Sequence, residues 1–113
     1  MDQQLQLDQQ QLVSAWQERL PSFMDDGDSY TVQADEGDKK SLLIHFNAAG
    51  RQNYTLDFRC MYVDSREVAV DLIDVERAGL HTDERTDAVQ QLAQRYTRKI
   101  HECAQALKPL TNH

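Results

Sequence analysis

His45 and Asp57 are the residues whose types are best suited to chemistry. Each lies in an alternating run, KSLLIHFN over residues 40–47 and NYTLDFRCMYV over residues 53–63, and pairing the two runs brings the side chains together. An imidazole beside a carboxylate is able to act as a general base or as part of a metal site. The same side chains also form a polar pair across strands without any catalytic function, and that is the interpretation we favour.

Known catalytic and cofactor motifs are missing from the sequence. Its histidines do not follow the HExxH spacing of zinc proteases, its glycines form no phosphate-binding loop, and no serine lies in a GxSxG turn. The acidic turns at residues 25–28 and 35–38 do not follow the order of a calcium-binding loop. Cys60 and Cys103 are far apart, and two thiols alone do not complete a zinc site. We therefore predict no metal and no cofactor.

A second candidate pair, Arg59 and Asp71, follows from the register of the last two predicted strands. Residues 54–63 and 67–75 alternate around a turn at residues 64–66, and their apolar residues must face the same side. The register therefore pairs three sets of core residues: Tyr62 with Val68, Cys60 with Val70, and Phe58 with Leu72. It sets Arg59 opposite Asp71 on the other side, where opposite charges stabilise a strand pair by roughly 0.2–1 kcal/mol.

Two helices and four strands are predicted to position these side chains. Asp8 is the expected N-cap of a first helix that ends at Pro21, and Thr82 is the expected N-cap of a longer helix that ends before Pro109. Each helix carries one apolar stripe. The predicted strands are Ser29–Ala34, Lys40–Asn47, Tyr54–Val63 and Glu67–Val75.

These elements predict an α+β protein with the order α-β-β-β-β-α. Short connections favour a four-stranded antiparallel meander sheet, and each helix must bury its apolar stripe. We expect the N-terminal helix and the long C-terminal helix to pack on the same face of the sheet. The length of 113 residues is that of a single domain, and we expect residues 1–7 to fray.

If both helices cover one face, the opposite face of the sheet has no cover. Its predicted interaction surface combines apolar and charged residues: Leu43, His45, Asp57, Arg59, Met61, Val63, Asp71, Ile73 and Val75. Such a mixture is typical of protein-binding surfaces, because burial drives association and the charged rim selects the partner. Coverage of the same residues by loops or by the N-terminal segment is the alternative.

Composition limits the classes of partner. The formal net charge of −7 disfavours contact with a phosphate backbone, so we expect no nucleic-acid partner. No apolar run approaches the roughly 20 residues of a membrane helix, and the polar start MDQQLQLDQQQ does not resemble a secretory signal. We therefore expect no membrane association and a cytoplasmic location.

The sequence supports three functional hypotheses, of which we favour the first. It describes a small acidic, non-enzymatic interaction module that is regulatory, adaptor-like or chaperone-like. This module acts through the uncovered sheet face, as a homodimer or with another protein. The second is a small-molecule-binding protein with a cleft between the sheet and the helices. The third is an enzyme that uses His45 and Asp57.

Overall fold

The computed structural model describes residues 7–25, 27–48, 54–83 and 85–112. Of the residues expected to fray, 1–6 lie outside these ranges. Leu7 lies within them and is partly buried against the core. None of the helices in the described part of the chain has the length and apolarity needed to cross a membrane.

Helix α1 spans Gln9–Arg19 and begins at the predicted cap. The Asp8 side chain accepts a hydrogen bond from the Gln11 backbone N–H, and the Gln11 side chain accepts one from the Asp8 backbone N–H. A 3₁₀ turn, Leu20–Phe23, follows because Pro21 lacks the backbone donor that would continue the helix.

The sheet has five antiparallel strands in the order β1-β2-β3-β4-β5. Their bounds are Ser29–Ala34 (β1), Ser41–Ala48 (β2), Tyr54–Tyr62 (β3), Val68–Arg77 (β4) and Leu80–His81 (β5). The predicted α+β meander is thereby confirmed, with one additional short strand. The predicted register is also confirmed, including Arg59 opposite Asp71.

Strand β5 was not predicted from the sequence. Ala78 and Gly79 both have positive φ, 54° and 82°, and form a two-residue turn that brings Leu80 opposite Arg77. Turns with positive φ at both central residues match the natural twist of paired strands. The chain therefore continues as a hairpin where we expected it to lead directly into a helix.

A β-bulge in β4 changes which residues face the core. Phe58 pairs with Leu72 but the neighbouring Asp57 pairs with Asp74, so Ile73 is the extra residue. After the bulge, Val75 points to the helix-covered side and has 0% exposure. Its assignment to the uncovered face was wrong, because that assignment assumed unbroken alternation along the strand.

Helix α2 spans Asp87–Ala106, and Thr86 is its N-cap. Thr82 was therefore the wrong cap: its N–H donates instead to the Val75 carbonyl, beside β5. A short helix α3, Lys108–Thr111, follows near Pro109. The Thr111 hydroxyl donates to the Ser65 carbonyl at 3.0 Å, which fastens the end of the chain to the β3–β4 turn.

Both long helices pack on the same face of the sheet, as predicted. The Trp16 indole of α1 donates to the Tyr62 hydroxyl of β3 at 3.1 Å, and the Tyr96 ring of α2 stacks on Phe46 of β2 with 4.5 Å between centroids. Buried aliphatic residues complete this core: Leu12, Leu20, Leu42, Ile44, Leu56, Val75, Val89 and Ile100. The opposite side of the sheet has neither α1 nor α2 above it.

Candidate functional site: the open sheet face

We call the side of the sheet away from the helices the open face. The strand registers place these residues on it: Thr31, Gln33, Leu43, His45, Asn47, Thr55, Asp57, Arg59, Met61, Ala69, Asp71, Ile73 and Asp74. Most are exposed or half-buried, as expected for one side of an antiparallel sheet.

A row of two His–Asp pairs crosses this face. His45 Nδ1 lies 2.6 Å from Asp57 Oδ1, which confirms that the two strands bring these side chains together. The next strand adds Asp74, whose Oδ1 lies 3.0 Å from Nδ1 of His81 in β5. The sheet thus aligns imidazole, carboxylate, carboxylate and imidazole across four strands.

In this row, the two imidazoles offset the repulsion between two carboxylates that the register sets opposite each other. Asp57 and Asp74 are direct cross-strand partners, and like charges in that position destabilise a sheet. Each carboxylate instead has an imidazole partner able to donate a hydrogen bond. Stabilisation of the sheet is therefore a sufficient reason for both His–Asp pairs, and neither pair requires a substrate to account for it.

Three residues of this row, His45, Asp57 and Asp74, line a shallow groove with a volume of about 610 Å³. Thr31, Leu43 and Ile73 also line it. A carboxylate that holds one imidazole nitrogen leaves the other nitrogen available as a base. Within residues 7–25, 27–48, 54–83 and 85–112, however, no three histidine, cysteine or acidic side chains converge as a metal site.

Arg59 reaches away from its register partner Asp71. Its Nε lies 3.1 Å from Asp35 Oδ2, without the angle of a hydrogen bond, and its Nη2 donates to Asp38 Oδ2 at 3.4 Å. Since both aspartates lie in the β1–β2 turn, the Arg59 side chain must cross β2. Hydrogen bonds from Lys40 N–H and the Ser41 hydroxyl, with the Arg59 charge adding to them, lower the pKa of Asp38.

Apolar side chains remain on or beside the open face. Leu43 and Met61 are half-buried, Ile73 is 50% exposed at the bulge, and Val63, one residue beyond the end of β3, is 53% exposed. Ile73 owes its exposure to the bulge, which sets it and Asp74 together opposite Asp57. The open face therefore carries apolar side chains next to carboxylates. Val75, which was predicted to be among them, lies in the core instead.

Sequence reasoning missed Asp74 and His81. Unbroken alternation would point Asp74 into the core, where an unpaired carboxylate is costly, and this conflict was a readable sign that the alternation breaks. His81 required the unpredicted β5. Comparison with protein-family models, curated proteins and solved structures finds no match to this chain.

Proposed function

We propose that this protein is a non-enzymatic interaction module that associates through its open face, primarily with a second copy of itself. The observation that carries the proposal is Ile73, a large aliphatic side chain held half-exposed by the β-bulge on the face that neither long helix covers. Leu43 and Met61 add further apolar area to the same face. A regulatory, adaptor-like or chaperone-like task suits a protein of this kind.

The experiment is sedimentation equilibrium of the full chain and of Ile73→Lys. We expect a concentration-dependent dimer whose dissociation constant rises on the order of 100-fold in the variant, since each copy would bury a charge in place of an aliphatic group. Gln94→Lys is the matched control, because Gln94 is exposed on α2 and the change in charge is the same. A monomer at every accessible concentration contradicts the proposal.

Salt dependence separates a second copy from a different protein partner. Asp57, Asp71 and Asp74 lie close together on the open face, so two copies set face to face bring carboxylates near carboxylates. Screening by salt reduces that repulsion and should tighten the dimer. A basic partner would instead bind more weakly as salt increases.

A second candidate function is an enzyme, and the close contact between His45 and Asp57 in an open groove favours it. General-base catalysis by His45 predicts that His45→Gln abolishes activity while His81→Gln, at the second His–Asp pair, retains it. Equal effects of the two variants would indicate that both pairs only stabilise the sheet.

A further inference from the structure

The outer edge of β4 is unpaired over Val68–Leu72 in the described part of the chain. Strand β5 pairs only with Glu76 and Arg77, at the far end of β4. Among the described residues, no backbone hydrogen bond joins another element to the outer edge of residues 68–72. An unpaired strand edge is a template on which a further strand is able to form.

The backbone alternation identifies the groups that this edge presents. Tyr62 N–H donates to the Lys40 carbonyl on the β2 side at 2.9 Å, so Tyr62 does not bond to its β4 partner Val68. In an antiparallel pair such residues direct their N–H and C=O away from the neighbouring strand. Val68, Val70 and Leu72 therefore direct their backbone groups outward.

A cleft of about 400 Å³ lies beside this edge, between β4 and α2. Its apolar lining includes Val68 of β4 and Ala104 of α2. Val68, Val70 and Leu72 face the helices but are only partly buried against the core. A strand added here would therefore bond to the β4 backbone and set its alternate side chains against the helix.

The charges around the cleft indicate what kind of strand fits. Arg66 and Arg98 both line it. Five other described arginines each have an acidic or aromatic partner, namely Arg19, Arg59, Arg77, Arg85 and Arg95. Among the described residues, the Arg66 and Arg98 guanidinium groups have no such partner.

Glu67 and Glu102 also border the cleft, but neither forms an ion pair with Arg66 or Arg98. Two guanidinium groups that lack partners favour carboxylates, to which arginine bonds strongly and with defined geometry.

We propose that the β4 edge and α2 together bind an extended acidic segment of a partner protein by strand addition. The backbone of the segment pairs with Val68, Val70 and Leu72, its apolar residues contact Val68 and Ala104, and its carboxylates bind Arg66 and Arg98. This surface is on the helix-covered side of the sheet and is independent of the open face.

The test is titration of the isotope-labelled full chain with blocked heptapeptides, followed by NMR. The probe ETETVTV alternates in strand register, and KTKTVTV is its matched basic control. We expect ETETVTV to bind at least roughly tenfold more tightly and to shift the amides of Val68, Val70 and Leu72. N-methylation of those alternate peptide residues whose N–H groups face β4 should abolish binding, because it removes the backbone donors that pair with the strand.

Variants of the protein make the charge argument specific. Arg98→Glu should weaken ETETVTV binding at least roughly tenfold, whereas Lys39→Glu, an equal change of charge in the exposed β1–β2 turn, should leave it within about twofold. Equal binding of the two peptides, no shift up to about 5 mM peptide, or shifts confined to other strands would overturn the proposal. Concentration-dependent shifts of the same amides without peptide would assign the edge to a second copy and overturn it too.

Discussion

Ala78 and Gly79 illustrate how single residues determine the end of the sheet. Both central residues of the β4–β5 turn have positive φ, which glycine adopts freely and alanine does not. Ala78 therefore holds a conformation that costs free energy, while the short strand it introduces positions His81 beside Asp74.

We predict that Ala78→Asn stabilises the protein by about 0.5–1 kcal/mol, because Asn-Gly is a preferred pair in this type of turn. Gly79→Ala should destabilise it by about 1–2 kcal/mol through backbone strain alone, since a Cβ at Gly79 would meet no other atom within 4 Å. Urea denaturation of the three proteins measures both changes. Equal midpoints would mean that the hairpin contributes nothing to stability.

At the scale of elements, Gln9 joins α1 to the β1–β2 turn. Its Nε2 lies within hydrogen-bonding distance of three backbone carbonyls, those of Asp35 and Asp38 at 2.9 Å and that of Ser41 at 3.0 Å. One amide group at the start of α1 therefore organises the turn whose two aspartates bind Arg59. Helix α1 thereby supports the open face although it packs on the other side of the sheet.

We predict that Gln9→Glu destabilises the protein by about 1–3 kcal/mol, because the donor is replaced by a carboxylate that faces three carbonyl oxygens. The helix dipole alone predicts the opposite sign, since an anion in the first turn is favourable. Gln10→Glu, at the exposed neighbouring position, should therefore be neutral or slightly stabilising. Chemical denaturation distinguishes the two explanations, and a stabilising Gln9→Glu would refute the role of the three carbonyls.

At the scale of the whole molecule, the core between the sheet and both long helices contains buried thiols and the hydrogen bond from the Trp16 indole to the Tyr62 hydroxyl. Cys60 of β3 and Cys103 of α2 are both fully buried, as expected from their apolar positions. Burial raises the pKa of the Cys103 thiol from 9.0 to about 12 and also raises the pKa values of Cys60 and Tyr62. Thiolate chemistry at neutral pH is therefore disfavoured at both positions.

These shifts predict a loss of stability in alkali. Above pH 9 the unfolded chain releases its thiol protons while the folded chain still holds them, so the free energy of unfolding falls as pH rises towards about 12. Each thiol contributes a slope of at most about 1.4 kcal/mol per pH unit. Chemical denaturation of the wild type and of Cys103→Ala at several pH values between 9 and 12 measures the free energy of unfolding. This free energy should fall less steeply with pH in the variant. An unchanged slope would show that this thiol does not contribute.

Local pattern was sufficient for much of the fold. The capping box at Asp8, the stop at Pro21 and the alternation of apolar residues depend on neighbours within a few positions. They determine where α1 starts and ends and which face most strand residues take, because burial repeats with the period of each element. They did not locate the start of α2, which is at Thr86 and not at Thr82. Since two helical stripes required one apolar sheet face, the sequence alone also predicted that neither long helix covers the other face. The strand pairing that it predicted sets His45 beside Asp57.

Only the tertiary structure decided where that alternation breaks and which charges meet. Val75 enters the core because a site beneath the helices is available to it, and Asp74 turns outward to His81, so contacts from distant elements select Ile73 as the extra residue. Arg59 binds Asp35 and Asp38 rather than Asp71, because the β1–β2 turn folds within its reach. Such choices depend on contacts between residues distant in sequence, which no local periodicity encodes.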